Sequence, residues 1–345
     1  MKNIFIIILF SLLFSCKNKD SGDFKVLNID TNEQIVRHKL SAFFEVEKKI
    51  KLNTKNRNLI ASIDKILVHK NFIFILNRFS SPGVYIFDTK GEFIKKITVP
   101  FDETQNIYDF LIDSQKIEML VAGKVLFFDV NTFEYINSKR IDYPSTRFYK
   151  TDEYYYLVNG KGQDLLMIAD MNFNKQIQYL KEHPSHGVYP YNSFININKD
   201  LFFFKNYSNA LYQIKGSNLK IGYKIIFNGV ELDEAELGDI KNFKTEKSNP
   251  FFYKEVIKEF FFSTNKHFYF SFIKKSKEYV AIVNKSTRKV MNFDVSNVEN
   301  DITNEKYFPF IVGKDDEFLI SVKNLESSFY KNEDFELFFL KPTLQ

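Results

Sequence analysis

The feature that most constrains this chain is a repeated strand–turn–strand unit, clearest between Val84 and Val99, where the sequence reads VYIFDTKGEFIKKITV. Val84, Ile86 and the alternating residues after Gly91 carry the period-two pattern of β-structure. Asp88, Lys90 and Gly91 supply the turn. Degraded copies run through the rest of the chain. Each opens with an apolar strand, turns on Lys, Asn, Asp or Ser, and returns as a second apolar strand. The units are ASIDKILVHKNFIFILN from Ala61, IYDFLIDSQKIEMLVAG from Ile107, RFYKTDEYYYLVNG from Arg147, SFININKDLFFFKN from Ser193, EFFFSTNKHFYFSFI from Glu259 and PFIVGKDDEFLISV from Pro309.

Behind each unit lies a third strand: VYIFD, VLFFD, LLMIAD, ALYQI, YVAIV and FELFFL, beginning at Val84, Val125, Leu165, Ala210, Tyr279 and Phe335. Five of the six are followed by a turn and a fourth strand, such as FEYINSKRI from Phe133 and RKVMNFDV from Arg288. Four antiparallel strands recurring about every 40–50 residues predict an all-β fold, a six-bladed β-propeller. The sixth unit ends at Leu340, leaving too few residues for a fourth strand. An open ring would leave an unpaired edge, which proteins avoid. The strand-like segment FFEVEKKIKL, Phe43 to Leu52, is spare at the other end of the chain. Pairing it with Phe335 to Leu340 closes the ring. A β-sandwich, the competing architecture, has no such use for it.

The longest interval between second strands, Leu201 to Phe268, holds ELDEAELGDIKNF and NPFFYKEVIKEF. Leu232, Ala235, Ile240 and Phe243 fall at helical spacing, as do Phe252, Val256 and Phe260. A small helical insertion between blades four and five, over residues 231–258, is therefore expected.

The N-terminus carries an address. Lys2 is a short positive region, Ile4 to Leu13 are apolar, and Leu13-Phe14-Ser15 precede Cys16, the sole cysteine. This resembles the lipobox of bacterial lipoproteins, which implies a signal peptide over residues 1–15 and acylation of the Cys16 thiol. Two or three acyl chains give durable anchoring, since each buried methylene contributes roughly 0.8 kcal/mol. Residues 16–39 then read as the acylated cysteine and a tether, with Phe24 to Ile29 either an early strand or part of that tether, and 40–345 as the propeller. With one cysteine no intramolecular disulfide framework exists.

Composition narrows the partners. Net charge is +5, but 48 basic and 43 acidic residues are interspersed without a Lys/Arg block, which argues against nucleic acid. With 12 Gly and 8 Pro, turns must lean on Asn, Asp, Ser and Lys.

The segments LSAFFEVEKKIKLN, LIASIDKILVHKNFIFIL, VYIFDTKGEFIKKI and NALYQIKGSNLKIGYKIIFNG together resemble the six-bladed β-propeller lipoproteins of bacterial envelopes, related in shape to NHL-repeat propellers. The resemblance covers the chain from about Leu40 onward and implies a fold and an envelope location, on the outer membrane and facing either the periplasm or the surface. It implies no reaction and no catalytic residues. The chain departs from the family pattern after Ile97, where TVPFDETQNIYDF stands in place of a glycine-rich GxGPGEY loop.

Reactive constellations are sparse. There is no GxSxG elbow, no GxxxxGK[ST] and no GxGxxG, so no cofactor is expected. His69 and His267 sit beside turn lysines and read as solvated. His183 and His186, in EHPSHGVYPY, could furnish part of a metal site with Glu182, or simply belong to an exposed aromatic connection; Pro184 and Gly187 argue for a loop and no metal is assigned. Binding is expected at one end of the channel, drawing on Asp64, Asp109, Arg147, Ser193 and Pro309 from first strands, and on His183, His186, Tyr189 and Tyr191 from that loop. The expected function is a lipid-anchored, non-enzymatic platform for a protein or glycan partner. Two alternatives are a propeller hydrolase or lyase acting on envelope carbohydrate or peptide, and a subunit of an outer-membrane complex docking through the insertion. Replacing Cys16 with Ser should move the protein from the membrane to the soluble fraction on ultracentrifugation; retention of the unacylated variant in the membrane pellet would refute the anchor.

Overall fold

The protein is described by a computed structural model over residues 24–31, 38–54, 60, 62–79, 81–100, 105–159, 164–181, 192–205, 207–228, 255–305, 311–324 and 335–344. Within these residues the chain forms six four-stranded antiparallel sheets. The innermost strands are Lys65–His69, Ile107–Ile112, Ser145–Lys150, Phe194–Ile197, Val256–Ser263 and Ile311–Lys314. In the first five blades the next three strands follow in chain order, as Phe72–Asn77, Gly83–Asp88 and Phe93–Ile97 do in blade one.

Blade six takes three strands from the C-terminus, ending with Leu319–Asn324 and Phe335–Pro342. Its outer position is filled by Phe44–Lys51, antiparallel to Phe335–Pro342, with Ile50 opposite Leu337 and Val46 opposite Leu340.

Second and third strands are buried on both faces, because each blade packs against two neighbours. In blade one Phe74 and Leu76 join the apolar cluster shared with blade two, while Ile73 and Ile75 join the one shared with blade six. Six such clusters occur, one in each space between adjacent sheets. Burying a Phe or Ile contributes roughly 1.5–3 kcal/mol, so the phenylalanine-rich composition serves this packing. The outer strand of blade two, Tyr135–Arg140, is exposed throughout.

The turns after third strands use one device repeatedly. The carboxylates of Asp88, Asp129 and Asp170 each accept amide hydrogen bonds from residues two to four positions on. Those amides, led by Glu92 at Asp88 and Thr132 at Asp129, hold both carboxyls below their ordinary pKa. At Asp170 the Asn174 side chain does most of this. The turn closes on a residue with positive φ, which is Gly91 in blade one, Phe133 in blade two and Phe173 in blade three. The two phenylalanines occupy a conformation unfavourable for a side chain, but both are buried against neighbouring rings.

Of the two readings of Phe24 to Ile29 the strand holds: Lys25–Ile29 is a parallel fifth strand on the outer edge of blade four, with Leu27 and Ile29 buried in the cluster between blades four and five. The alternation in KVLNI is short, but it finds a free edge to pair with. The helical insertion fails where it can be inspected. Residues 231–254, Phe252 among them, lie outside the described residues, and no α-helix occurs among those described; Val256 and Phe260 lie on the inner strand Val256–Ser263. That strand is buried on both faces and bulges between Ile257 and Phe261, so its apolar run imitates helical spacing by coincidence.

Gly91 also touches the N-terminal segment. A Cβ there would lie 2.1 Å from the Lys51 carbonyl oxygen, whereas one on Gly123, also at positive φ, meets nothing closer than 4.0 Å. Gly123→Ala should therefore cost about 1 kcal/mol of stability and Gly91→Ala at least ~2 kcal/mol more. Equal losses in denaturant titration would show that the close approach to Lys51 carries no energy.

Candidate functional site

The inner strands surround a central cavity of about 520 Å³, within the range of small-molecule sites. All six blades contribute to its wall. Bulges set the aim of its polar groups. The pairing of inner with second strand slips between Ile107 and Asp109, between Ser145 and Arg147, and between Ile311 and Gly313. A bulge bends its strand and re-aims the next side chain, and here Asp109 and Arg147 line the channel. Gly313 serves differently: its backbone pairs with Ile66 of blade one, and a Cβ would lie 2.7 Å from the Ile66 carbonyl oxygen.

The polar wall on the side of blades one to three is tied together across blades. Lys65 Nζ stands 2.7 Å from Asp109 Oδ1 and also donates to the Phe110 carbonyl at 2.8 Å. Asp109, nearly fully buried, accepts from the Phe110 amide through Oδ1 and from the Phe148 amide of blade three through Oδ2. Arg147 donates back to the Tyr108 carbonyl at 3.0 Å and to the Thr146 carbonyl at 2.7 Å.

Aromatic and amide groups fill the next stretch of wall. Phe148, Tyr149 and Phe194 line it, and the Tyr149 hydroxyl pairs with the Asn196 side chain, whose Nδ2 donates at 2.8 Å. On the side of blade six lie Lys314 and the turn Asp315-Asp316-Glu317. Burial pushes the Lys314 ammonium below its ordinary pKa, while Asp316 and Asp315 pull the other way. Near it, burial pushes Lys285 down to about 8, and the charge of Lys314 adds to this. Lys285 donates to Ser263 Oγ at 2.8 Å and to the Thr264 carbonyl.

A second polar cluster lies between blades two and three. Lys150 Nζ bridges Glu118 Oε1 at 2.6 Å and Asp113 Oδ2 at 2.9 Å, and the Tyr155 hydroxyl donates to Glu118 Oε2 at 2.7 Å. Burial, reinforced by Glu118, raises the Tyr155 phenol, which stays protonated as the donor. Burial disfavours the Lys150 charge, but its two carboxylate partners outweigh that and raise its pKa. Every carboxylate oxygen here accepts a hydrogen bond. The cluster locks two blades together.

Of the residues singled out from sequence, Asp109, Arg147 and Ser193 meet at the cavity. Asp64 is not among the lining residues. Its carboxylate accepts from the Arg78 amide and Nε and from Ser62 Oγ, which fixes the chain entering blade one. Cys16, His183, His186, Tyr189, Tyr191 and Pro309 lie outside the described residues. Of the two histidines read as solvated, His267 is not and His69 is half-buried. His267 is buried with Nε2 2.8 Å from the Leu344 carbonyl, and His69 Nε2 is buried without a partner; burial lowers both pKa values. Among the described residues no cluster of His, Cys, Asp and Glu could hold a metal ion. Sequence reasoning missed Lys65, Lys314 and Asn196, whose one signal is their place on inner strands.

Comparison with known proteins agrees with this architecture. A family model described as 6-bladed beta-propeller matches residues 15–321. A crystal structure of a protein from Bacteroides fragilis NCTC 9343, described as exported, superposes with a TM-score of 0.74 at 14% identity, covering 93% of this chain and 100% of that one. The WD40 domain of Neurospora crassa Pan2 (TM-score 0.49, 11% identity, 87% and 97% covered) and BamB from Moraxella catarrhalis (0.46, 10%, 86% and 99%) are more distant and add nothing to the assignment. No curated protein matches the chain.

Lys65→Met should destabilise the fold by ~2 kcal/mol, because it leaves the Asp109 carboxylate buried without its counter-ion; the partial exposure of Lys65 keeps the loss below that of a fully buried pair. Adding Asp109→Asn to that variant should recover most of the loss. Additive losses in a double-mutant cycle would count against the pairing.

Proposed function

The chain belongs to the DUF5128 family of 6-bladed beta-propellers, and on that premise we propose that it is a lipid-anchored binding platform of the cell envelope, holding a ligand in its central channel without transforming it. The observation that carries this reading is the cavity of about 520 Å³ whose wall draws on all six blades, with charged groups already held in place by their neighbours. A wall pre-formed in this way loses little entropy on binding. The pairing of Phe44–Lys51 with Phe335–Pro342 is taken as the closure of the ring, which keeps the six walls in register.

The envelope address rests on the N-terminal sequence, where the apolar run from Ile4 and the lipobox-like residues before Cys16 imply export and acylation. A fold-relative described as exported is in keeping with it. Among the described residues no helix is long and apolar enough to cross a membrane.

A hydrolase would need an acid and a base free to exchange protons. Asp109 is poorly suited, with both oxygens engaged by Lys65 and two backbone amides. The test is a thermal-shift panel of envelope-type saccharides and peptides, with each ligand recovered and weighed by mass spectrometry. At least one class should raise Tm and return intact, and the rise should vanish in Asn196→Trp, where an exposed wall residue is enlarged into the cavity. A shortened or eliminated product would replace the platform with an enzyme.

A further inference from the structure

Ser193 lies just before the inner strand of blade four, and its side chain is 2% exposed. Its Oγ has no hydrogen-bond partner. A buried hydroxyl left unpaired is destabilising, and native folds avoid it unless something else uses the group. Other buried side-chain atoms share this state, including Tyr269 OH, Ser271 Oγ and Ser321 Oγ. Among the described residues, Ser193 is the one of this set that lines the central cavity. Its unspent hydrogen-bonding capacity therefore sits where a ligand would arrive.

The rest of the wall says what kind of ligand. Lys65 and Asp109 neutralise each other at 2.7 Å, and Arg147 is engaged by backbone carbonyls. Lys314 shares its stretch of wall with the acidic turn that follows it. With cations and carboxylates interleaved, no single-sign field selects a charged ligand. What remains is a neutral hydroxyl, the Asn196 and Asn192 amides, and aromatic rings such as Tyr149 and Phe194. Amides and a hydroxyl both donate to and accept from vicinal hydroxyls, and aromatic faces cover the apolar faces of pyranose rings.

Resting on the platform reading above, we propose that the central cavity is a binding site for a neutral saccharide and that Ser193 Oγ hydrogen-bonds one of its hydroxyls. The unpaired hydroxyl is then a group whose apo-state cost is retained because the ligand satisfies it.

This assigns Ser193→Ala two effects of opposite sign. Removing an unsatisfied buried hydroxyl raises Tm of the free protein, and removing the ligand's partner weakens binding about tenfold, the ratio for one neutral hydrogen bond. Ser321→Ala, also at a buried unpartnered hydroxyl but away from the cavity, should raise Tm and leave affinity unchanged. The probes are neutral trisaccharides of glucose, galactose, mannose and N-acetylglucosamine, trigalacturonate, and triglycine, each measured by calorimetry on the full mature chain. Binding of at least one neutral trisaccharide, weakened by Ser193→Ala while Tm rises, supports the assignment. Unchanged affinity in Ser193→Ala, or a fall in its Tm, overturns the role of Ser193. Preference for trigalacturonate overturns the neutrality of the ligand and preference for triglycine overturns the saccharide, either result leaving the platform standing. Silence from every probe overturns the saccharide site, and the broader panel with Asn196→Trp then decides the platform separately.

Discussion

The packing of the last blade against the first is the interaction on which the rest of this structure depends. Every other pair of neighbouring blades is consecutive along the chain, so the bulk of each of their apolar clusters forms between successive segments, with Leu27, Ile29, Leu40 and Phe43 as N-terminal additions. The cluster between blades six and one gathers Ile66, Ile73 and Tyr85 with Val312, Ile320 and Leu337, and it must form between opposite ends of the chain. Ile50 and Leu52 from the N-terminal segment belong to it as well. The loop entropy of bringing those ends together grows only slowly with length, and a single well-packed cluster offsets it. The backbone contact of Gly313 with Ile66 is possible because Gly313 has no side chain to stand in the way.

That seam also sets the channel. With the ring held at six blades, inner strands stand close enough for Lys65 of blade one to reach Asp109 of blade two, and for Asp109 to reach the Phe148 amide of blade three. The polar wall is therefore a product of blade number and spacing. A ring with another count of sheets would separate these groups by the width of a blade and leave Asp109 with an unpaired buried charge.

Much of the fold was legible because the repeat is written in local terms. The Asp that ends VYIFD and VLFFD is the residue that accepts the turn amides, and the continuous apolar run before it reports a strand packed on both faces. At the site, Asp109, Arg147 and Ser193 were legible as first-strand residues. The Lys65–Asp109 pair was not, since it joins residues 44 positions apart on different blades. His267 read as solvated from the lysine beside it, but the returning C-terminus covers it at Leu344. The helical reading of Val256 and Phe260 failed because a strand buried on both faces loses its period-two signature.

The course of the N-terminal segment has a mechanical consequence. Lys25–Ile29 lies along the rim of blade four, and the next residues are pinned where Thr31 Oγ1 donates to Glu255 at 2.8 Å and Asn292 Nδ2 donates to the Asp30 carbonyl at 2.6 Å. Only then does the chain pass blade five, where His38–Lys39 pairs with Val298–Glu299, and enter blade six. Tension applied at the N-terminal end is thus borne first by the rim strand in shear and by this cluster of side chains. The strand in blade six stays unloaded until they yield, so a pull on the chain ahead of Lys25 is absorbed two blades away from the seam.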